Sequence, residues 1–304
     1  MGSQLMKRVM VMAALCAIAL PSTPSSATEK KLTVAIFAPN APFASGTDRF
    51  NFIQRLAQQI SSVAGVPAEG KAFARAGDLE AAIRRKQIDF AVIDGVFLAE
   101  KGAPYPVLAI ATTSGETQPR WSLYSQWATD VKSLEGKKLA IPNSGGRDDE
   151  FIGNALFDGE LQVRKFFGSK TTAPDVASAV TAVKLHKADA VFAPESEGKG
   201  LKAVFDAGRV PNAAFCDTNP SAHSSEIVSK VKNAVLSHSV SAAIDGWKPG
   251  EAGIYRALAG RMAPRSKRPI MAEPDTVSLG DVDYVVPPQL QPTQPDLKNL
   301  YWNP

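Results

Sequence analysis

DLEAAIRRKQIDFAVIDG, residues 78–95, and DVASAVTAVKLHKADAVFAPE, residues 175–195, are two versions of one passage, set about 100 residues apart. Each opens on an aspartate suited to a helix start and continues with apolar residues at helical spacing. It then meets a basic or polar break and a further aspartate, and closes on a short apolar stretch of strand character. A helix-to-strand unit used twice predicts two lobes of similar build, with Asp94 and Glu195 in matching places at their rims.

Outward from these passages the chain alternates strand-like and helix-like segments, the pattern of an α/β protein. Residues 32–37 form a nearly continuous apolar run, suited to a strand covered on both faces. Phe52, Ile53, Leu56, Ile60 and Val63 then fall at helical spacing, residues 72–74 read as a weak strand, and Asp78 is expected to cap the first of the twinned helices. Strands at 90–93 and 107–111 complete that lobe. In the second lobe, residues 121–127 and 138–141 read as strands and 147–157 as a helix; after the second copy come a further helix at 200–207 and a return connection at 210–215. Amphipathic helices are expected at 224–237 and 251–262.

The first residues indicate where the protein works. Lys7 and Arg8 precede an apolar run over residues 9–20 and a polar stretch ending in Ser25-Ser26-Ala27, the three regions of a secretory signal, with cleavage expected after Ala27. Twelve or so apolar residues are too few to span a bilayer. Cys16 follows Leu15, where a lipoprotein signal wants a small residue, so soluble export to the periplasm is expected rather than a lipid anchor. Only Cys216 then remains, which excludes an internal disulfide. Removing residues 1–27 takes away two basic residues and no acidic one, so the net charge falls from +4 to about +2 and carries no nucleic-acid signature. Residues 264–304 hold 8 of the 22 prolines yet keep Ile270, Tyr284, Val285, Leu300 and Trp302; a tail wrapped on one lobe is expected there.

The order of these elements resembles the type II periplasmic solute-binding proteins, and within them the phosphate- and phosphonate-binding group of ABC transporter components. The carrying residues are the export signal, the strand at 32–37, Gln87-Ile88-Asp89-Phe90-Ala91-Val92, the stretch from Ser133 to Gly145, Lys187-Ala188-Asp189-Ala190-Val191, and Lys232-Asn233-Ala234-Val235-Leu236. The likeness covers roughly residues 31–262. It implies two lobes, each a mixed sheet flanked by helices, closing on a ligand in the cleft between them. The first lobe is then discontinuous, residues 28–113 with 221–263, and the second is residues 114–220. It also implies a monomer that catalyses nothing, uses no cofactor or metal, and hands a small solute to an ABC permease or another inner-membrane partner.

In open α/β sheets ligands settle beyond the carboxyl ends of the strands, where loops meet helix starts. Those positions nominate Phe37, Asn40, Phe43 and Asp94 in the first lobe and Trp121, Ser144, Gly145, Gly146 and Glu195 in the second. The crossing segments would add Thr112 and Thr113 on the way out, and Asn219 and His223 on the way back. Ser144-Gly145-Gly146 at a helix start can aim backbone N–H groups at an anion, or can serve as an ordinary cap. Asp148-Asp149-Glu150 argues against the anion, because three carboxylates in the first turn repel it and the nearest cation is Arg147. The aromatic residues at the strand ends suit an organic ligand, or are core.

Two other functions compete. The same fold can serve a sensor or carry a lipid or sterol. An exported hydrolase would need a nucleophile with a base; the chain has three histidines, no G-x-S-x-G elbow, and a lone Cys216 near His223. No His-x-x-x-His or Cys-x-x-Cys spacing suggests a metal, and no Lys-Ser or Lys-Thr follows Ser144-Gly145-Gly146 to make a phosphate loop.

Overall fold

The computed structural model describes residues 31–238 and 243–264. The expected signal and the proline-rich tail lie outside those residues. In chain order the elements are β1 (Leu32–Phe37), α1 (Gly46–Ala64), β2 (Ala68–Ala72), α2 (Ala76–Arg84), β3 (Phe90–Ile93), α3 (Gly95–Glu100) and β4 (Val107–Thr112). Then come β5 (Arg120–Ser125), β6 (Lys138–Pro142), α4 (Asp148–Glu150), α5 (Val163–Phe166), β7 (Ser169–Ala173), α6 (Val176–Lys184), β8 (Ala190–Pro194) and β9 (Lys202–Arg209). The chain returns through β10 (Ala214–Asp217), α7 (Ser225–Leu236), β11 (Gly246–Pro249) and α8 (Gly253–Met262).

These strands form two mixed sheets, a six-stranded one of order β11-β4-β10-β3-β1-β2 and a five-stranded one of order β7-β6-β8-β5-β9. Alternation along β1 divides the first core: Val34 and Ile36 pack with Phe52, Leu56 and Val235 beneath α1 and α7, while Ala35 and Phe37 pack with Leu79, Phe97 and Tyr255 on the opposite face. In the second sheet Leu139 and Ile141 join Phe157 and Phe192, and Ala140 and Val191 pack under α6 with Val176 and Val180.

The twinned passages share a mechanism that their letters only hint at. After α2 and α6 the chain turns through Lys86 and His186, both left-handed at φ 55°. Asp89 and Asp189 then staple the neighbouring parallel strand: Asp89 Oδ2 accepts from Thr33 N at 2.8 Å, and Asp189 Oδ2 accepts from Lys138 N at 2.9 Å. The helix starts differ. Asp175 caps α6 by accepting from Ser178 N at 2.9 Å, whereas Arg75 occupies the cap position of α2 and Asp78 sits inside the helix, bonded to the Arg75 guanidinium.

Several expectations are corrected. Where a helix was expected at 200–207, residues 202–207 belong to strand β9, which pairs antiparallel with β5 through two register shifts; Val204, Phe205 and the bulge-permitting Gly208 at φ 79° favour the pairing over a helix. The weak strand falls at Ala68–Ala72 rather than 72–74, in parallel register with β1. Residues 214–217, expected in the second lobe, are β10 and pair with β3 and β4 in the first sheet. The helix expected at 147–157 is one turn of α4 continued as a π-helix over Phe151–Leu156, a wide turn that is frequent at functional sites.

The two lobes touch at named points. Val176 N donates to Pro39 O at 2.9 Å, and Arg49 of α1 reaches Asp175 at 3.5 Å with both side chains 8% exposed. Arg49→Met is expected to lower stability by about 2 kcal/mol, below the usual penalty for breaking a buried pair because Asp175 keeps its role as cap. Chemical denaturation tests this; an unchanged midpoint would show that the pair contributes nothing.

Candidate functional site

Asp94 follows β3, caps α3 and organises the first lobe's rim. Its Oδ1 accepts from Val96 N at 2.9 Å, Phe97 N at 3.4 Å and Asn40 Nδ2 at 3.0 Å, and its Oδ2 accepts from Asn40 N at 3.0 Å. Burial pushes its carboxyl up to about 6 against the pull of those donors. Asn40 Nδ2 also donates to Ser144 Oγ of the second lobe at 3.0 Å, so one side chain bridges the cleft. The acceptor Asp94 fixes which end of the Asn40 amide carries the NH2, and leaves Asn40 Oδ1 buried without a partner.

Two small hollows meet at Trp121, the second residue of β5. The first is lined by Asn40, Asp94, Thr113, Asn212 and Trp121, and the second by Trp121, Ser144, Asp148, Phe151 and Phe192. Each encloses about 10 Å3, the room of one water molecule. Phe151, brought in by the π-helix, stands edge-on to Trp121 at 6.1 Å and 82°.

The loop after β6 has its own carboxylates folded onto it. Asp148 Oδ1 accepts from Ser144 N at 3.3 Å, and Glu100 of α3 accepts from Arg147 N across the cleft at 3.0 Å. Burial raises Asp148, and burial, then the nearby Asp148 and Asp94 charges, lift Glu100 to about 7 despite the Arg147 amide. Asp149 instead is held below the usual range by Lys170 and Arg164, against the effect of its partial burial. Two further cations therefore lie near the acidic turn, where the sequence pointed to Arg147 alone. Gly145 lies against α3: at φ 148° an added Cβ would fall 2.6 Å from Phe97 Cδ2 and 2.7 Å from Glu100 Oε2.

Asn40, Asp94, Thr113, Trp121 and Ser144 thus come together, while Gly145 lies against Phe97 and Glu100 and Gly146 faces open space. Phe37 and Phe43 are core residues, packed on Phe97 and Phe52. Thr112 is spent on Asp245, to which its hydroxyl donates. Glu195 is exposed, in an open hollow of about 380 Å3 with Thr113 and Arg120, and it does not match Asp94, whose counterpart by register is Pro194.

Asn219 and His223 lie at the other end of the first sheet. There β10 runs antiparallel to β3 and pairs Asp217 with Phe90, so the return leads away from the cleft. His223 Nδ1 meets Asp217 at 3.0 Å and Nε2 meets Asp89 at 3.2 Å, while burial pushes the Cys216 thiol far up and its sulfur faces Ala214 O. Among the residues that sequence reasoning missed is Asn212, whose Nδ2 donates to Ala111 O, Thr113 Oγ1 and Glu116 O at 3.2, 3.3 and 2.9 Å. An asparagine in an unpaired crossing leaves no periodic signal.

No family model matches the sequence, and no curated protein matches it. Solved structures do match in fold. PhnD1 from Prochlorococcus marinus, in complex with methylphosphonate, aligns over 77% of this chain and 97% of its own at TM-score 0.60 and 11% identity. The binding-protein component of an ABC phosphonate transporter from Pseudomonas aeruginosa aligns over 77% and 88% at TM-score 0.56 and 11% identity. A chloride-bound protein of Xanthomonas citri aligns over 76% and 97% at TM-score 0.55 and 13% identity. With two helix-flanked mixed sheets and these structural neighbours, the chain has the two-lobe fold of the type II periplasmic binding proteins.

Proposed function

We propose that this protein is exported, closes its two lobes on a small solute, and delivers that solute to an ABC permease. The observation that carries the reading is Trp121, whose ring lines the hollows on both sides of the cleft while Asn40 reaches across to Ser144. An aromatic wall with a few fixed polar groups is the usual make of a small-molecule site. The fold's neighbours, a methylphosphonate complex and a phosphonate-transporter component among them, support capture rather than chemistry. In this reading the signal is removed after Ala27 and the mature protein works in the periplasm as a monomer.

A melting screen of phosphonates, phosphate, sulfonates, amines and sterol-like lipids tests it. Ligand at 100 times its Kd should stabilise the native state by about 2.7 kcal/mol. Trp121→Leu is expected to weaken binding of the active solute by at least about tenfold, equivalent to 1.4 kcal/mol, with far-ultraviolet dichroism unchanged. If no solute class shifts melting, capture is the wrong reading, and turnover of an ester or amide substrate would put a hydrolase in its place.

A further inference from the structure

The polarity of the cleft names a class of solute, an inference that rests on the capture reading above. We propose that the cleft selects a small organic cation, its ammonium head held between the Trp121 ring and the Asp148 carboxylate, rather than a phosphonate-like anion.

Four independent features agree. An anion at the loop after β6 would meet two carboxylates folded onto that loop, Asp148 and Glu100, which accept from the Ser144 and Arg147 amides. Neither hollow is lined by a Lys, Arg or His side chain. One of the buried polar atoms without a partner among the described residues is an acceptor, Asn40 Oδ1, on a residue that lines the first hollow; an acceptor in that state calls for a donor, which an ammonium is and a phosphonate dianion is not. Asp148 lines the second hollow with Trp121 and Phe151, and a carboxylate beside an aromatic face is suited to an alkylammonium head. Asp94 adds negative charge but has its four hydrogen bonds filled from within, so Asp148 carries the direct contact. Trp121 is shared by both hollows, so a cation there lies between the orphaned Asn40 oxygen and the Asp148 carboxylate.

Isothermal titration of the full mature chain provides the test, with butylammonium and trimethylammonium, both N–H donors, set against methylphosphonate and inorganic phosphate at matched ionic strength. At least one ammonium should bind, and Asp148→Asn should weaken it by about tenfold or more, since the amide keeps an acceptor for Ser144 N while losing the charge. Asp149→Asn makes the same change in net charge at a residue that lines neither hollow, and should leave the affinity within about twofold. Urea midpoints of both variants without ligand show that each is folded. Ammonium binding that Asp148→Asn leaves intact, or that Asp149→Asn weakens equally, overturns the assignment. Binding of methylphosphonate, phosphate or a neutral solute without any ammonium overturns the cation while capture stands. Failure of every solute in the wider screen sinks capture itself, and the cation with it.

Discussion

Gly95→Ala should destabilise the protein by about 3 kcal/mol, the upper end of what overpacking produces. Gly95 is the first residue of α3, and an added Cβ would sit 2.2 Å from Pro211 O and 2.8 Å from Asn212 O. Both are backbone atoms of the crossing back to the first sheet. They cannot swing aside as a side chain can, so either α3 lifts from its Asp94 cap or the crossing shifts away from Tyr255, whose hydroxyl donates to Asn212 O at 2.9 Å. Gly46→Ala is the control, because nothing lies within 4 Å of its added Cβ, and it should fall within about 0.5 kcal/mol of the parent. Urea denaturation of the pair decides the matter: equal midpoints would show that the crossing yields freely.

Between about pH 4 and pH 7 two raised carboxyls, Asp94 and Glu100, should take stability from the protein as the solution becomes more basic. Asp94 titrates near 6 in the fold against an ordinary 3.8, and Glu100 near 7 against 4.5, because burial disfavours both charged forms. A carboxyl raised in this way contributes stability that is full below its unfolded pKa and is lost as pH rises through its folded one. For Asp94 the loss is on the order of 3 kcal/mol. Glu100 is partly open to solvent, which screens its share. His238, lowered by its own burial, works the other way below 6.5, so a variant isolates the effect better than the parent's profile. Glu100→Gln keeps an acceptor for Arg147 N and removes the charge. Its advantage over the parent should be near zero at pH 4 and grow to about 1 kcal/mol by pH 8, after allowance for screening. An advantage constant across that range would mean that Glu100 does not titrate there.

What the sequence made legible was whatever repeats locally. The periodicity of Phe52, Leu56 and Ile60 and the apolar runs at 32–37 and 90–93 correspond to α1, β1 and β3, since each pattern reports burial of a single element. β9 was hidden because an edge strand is made by its partner, and KAVFDAGR is only partly buried on either face. The site was half legible. Loop positions after strands gave Asn40, Asp94 and Ser144, which topology alone can nominate. The ends of the return segment were misplaced because β10 runs antiparallel to its neighbours, a direction that no residue in Ala214–Asp217 encodes. Asp148 and Glu100 were hidden for another reason: their role depends on which backbone amides they reach across space, and Glu100 and Arg147 lie on opposite lobes.

Asn212 has a mechanical consequence. Its amide grips three oxygens of the outgoing crossing while its own N–H donates to Thr117 O at 2.9 Å, and Arg209 adds its bonds to Glu116 and Gln118 O. The outgoing and returning crossings are thus one hydrogen-bonded unit, and drawing them apart would break these bonds together.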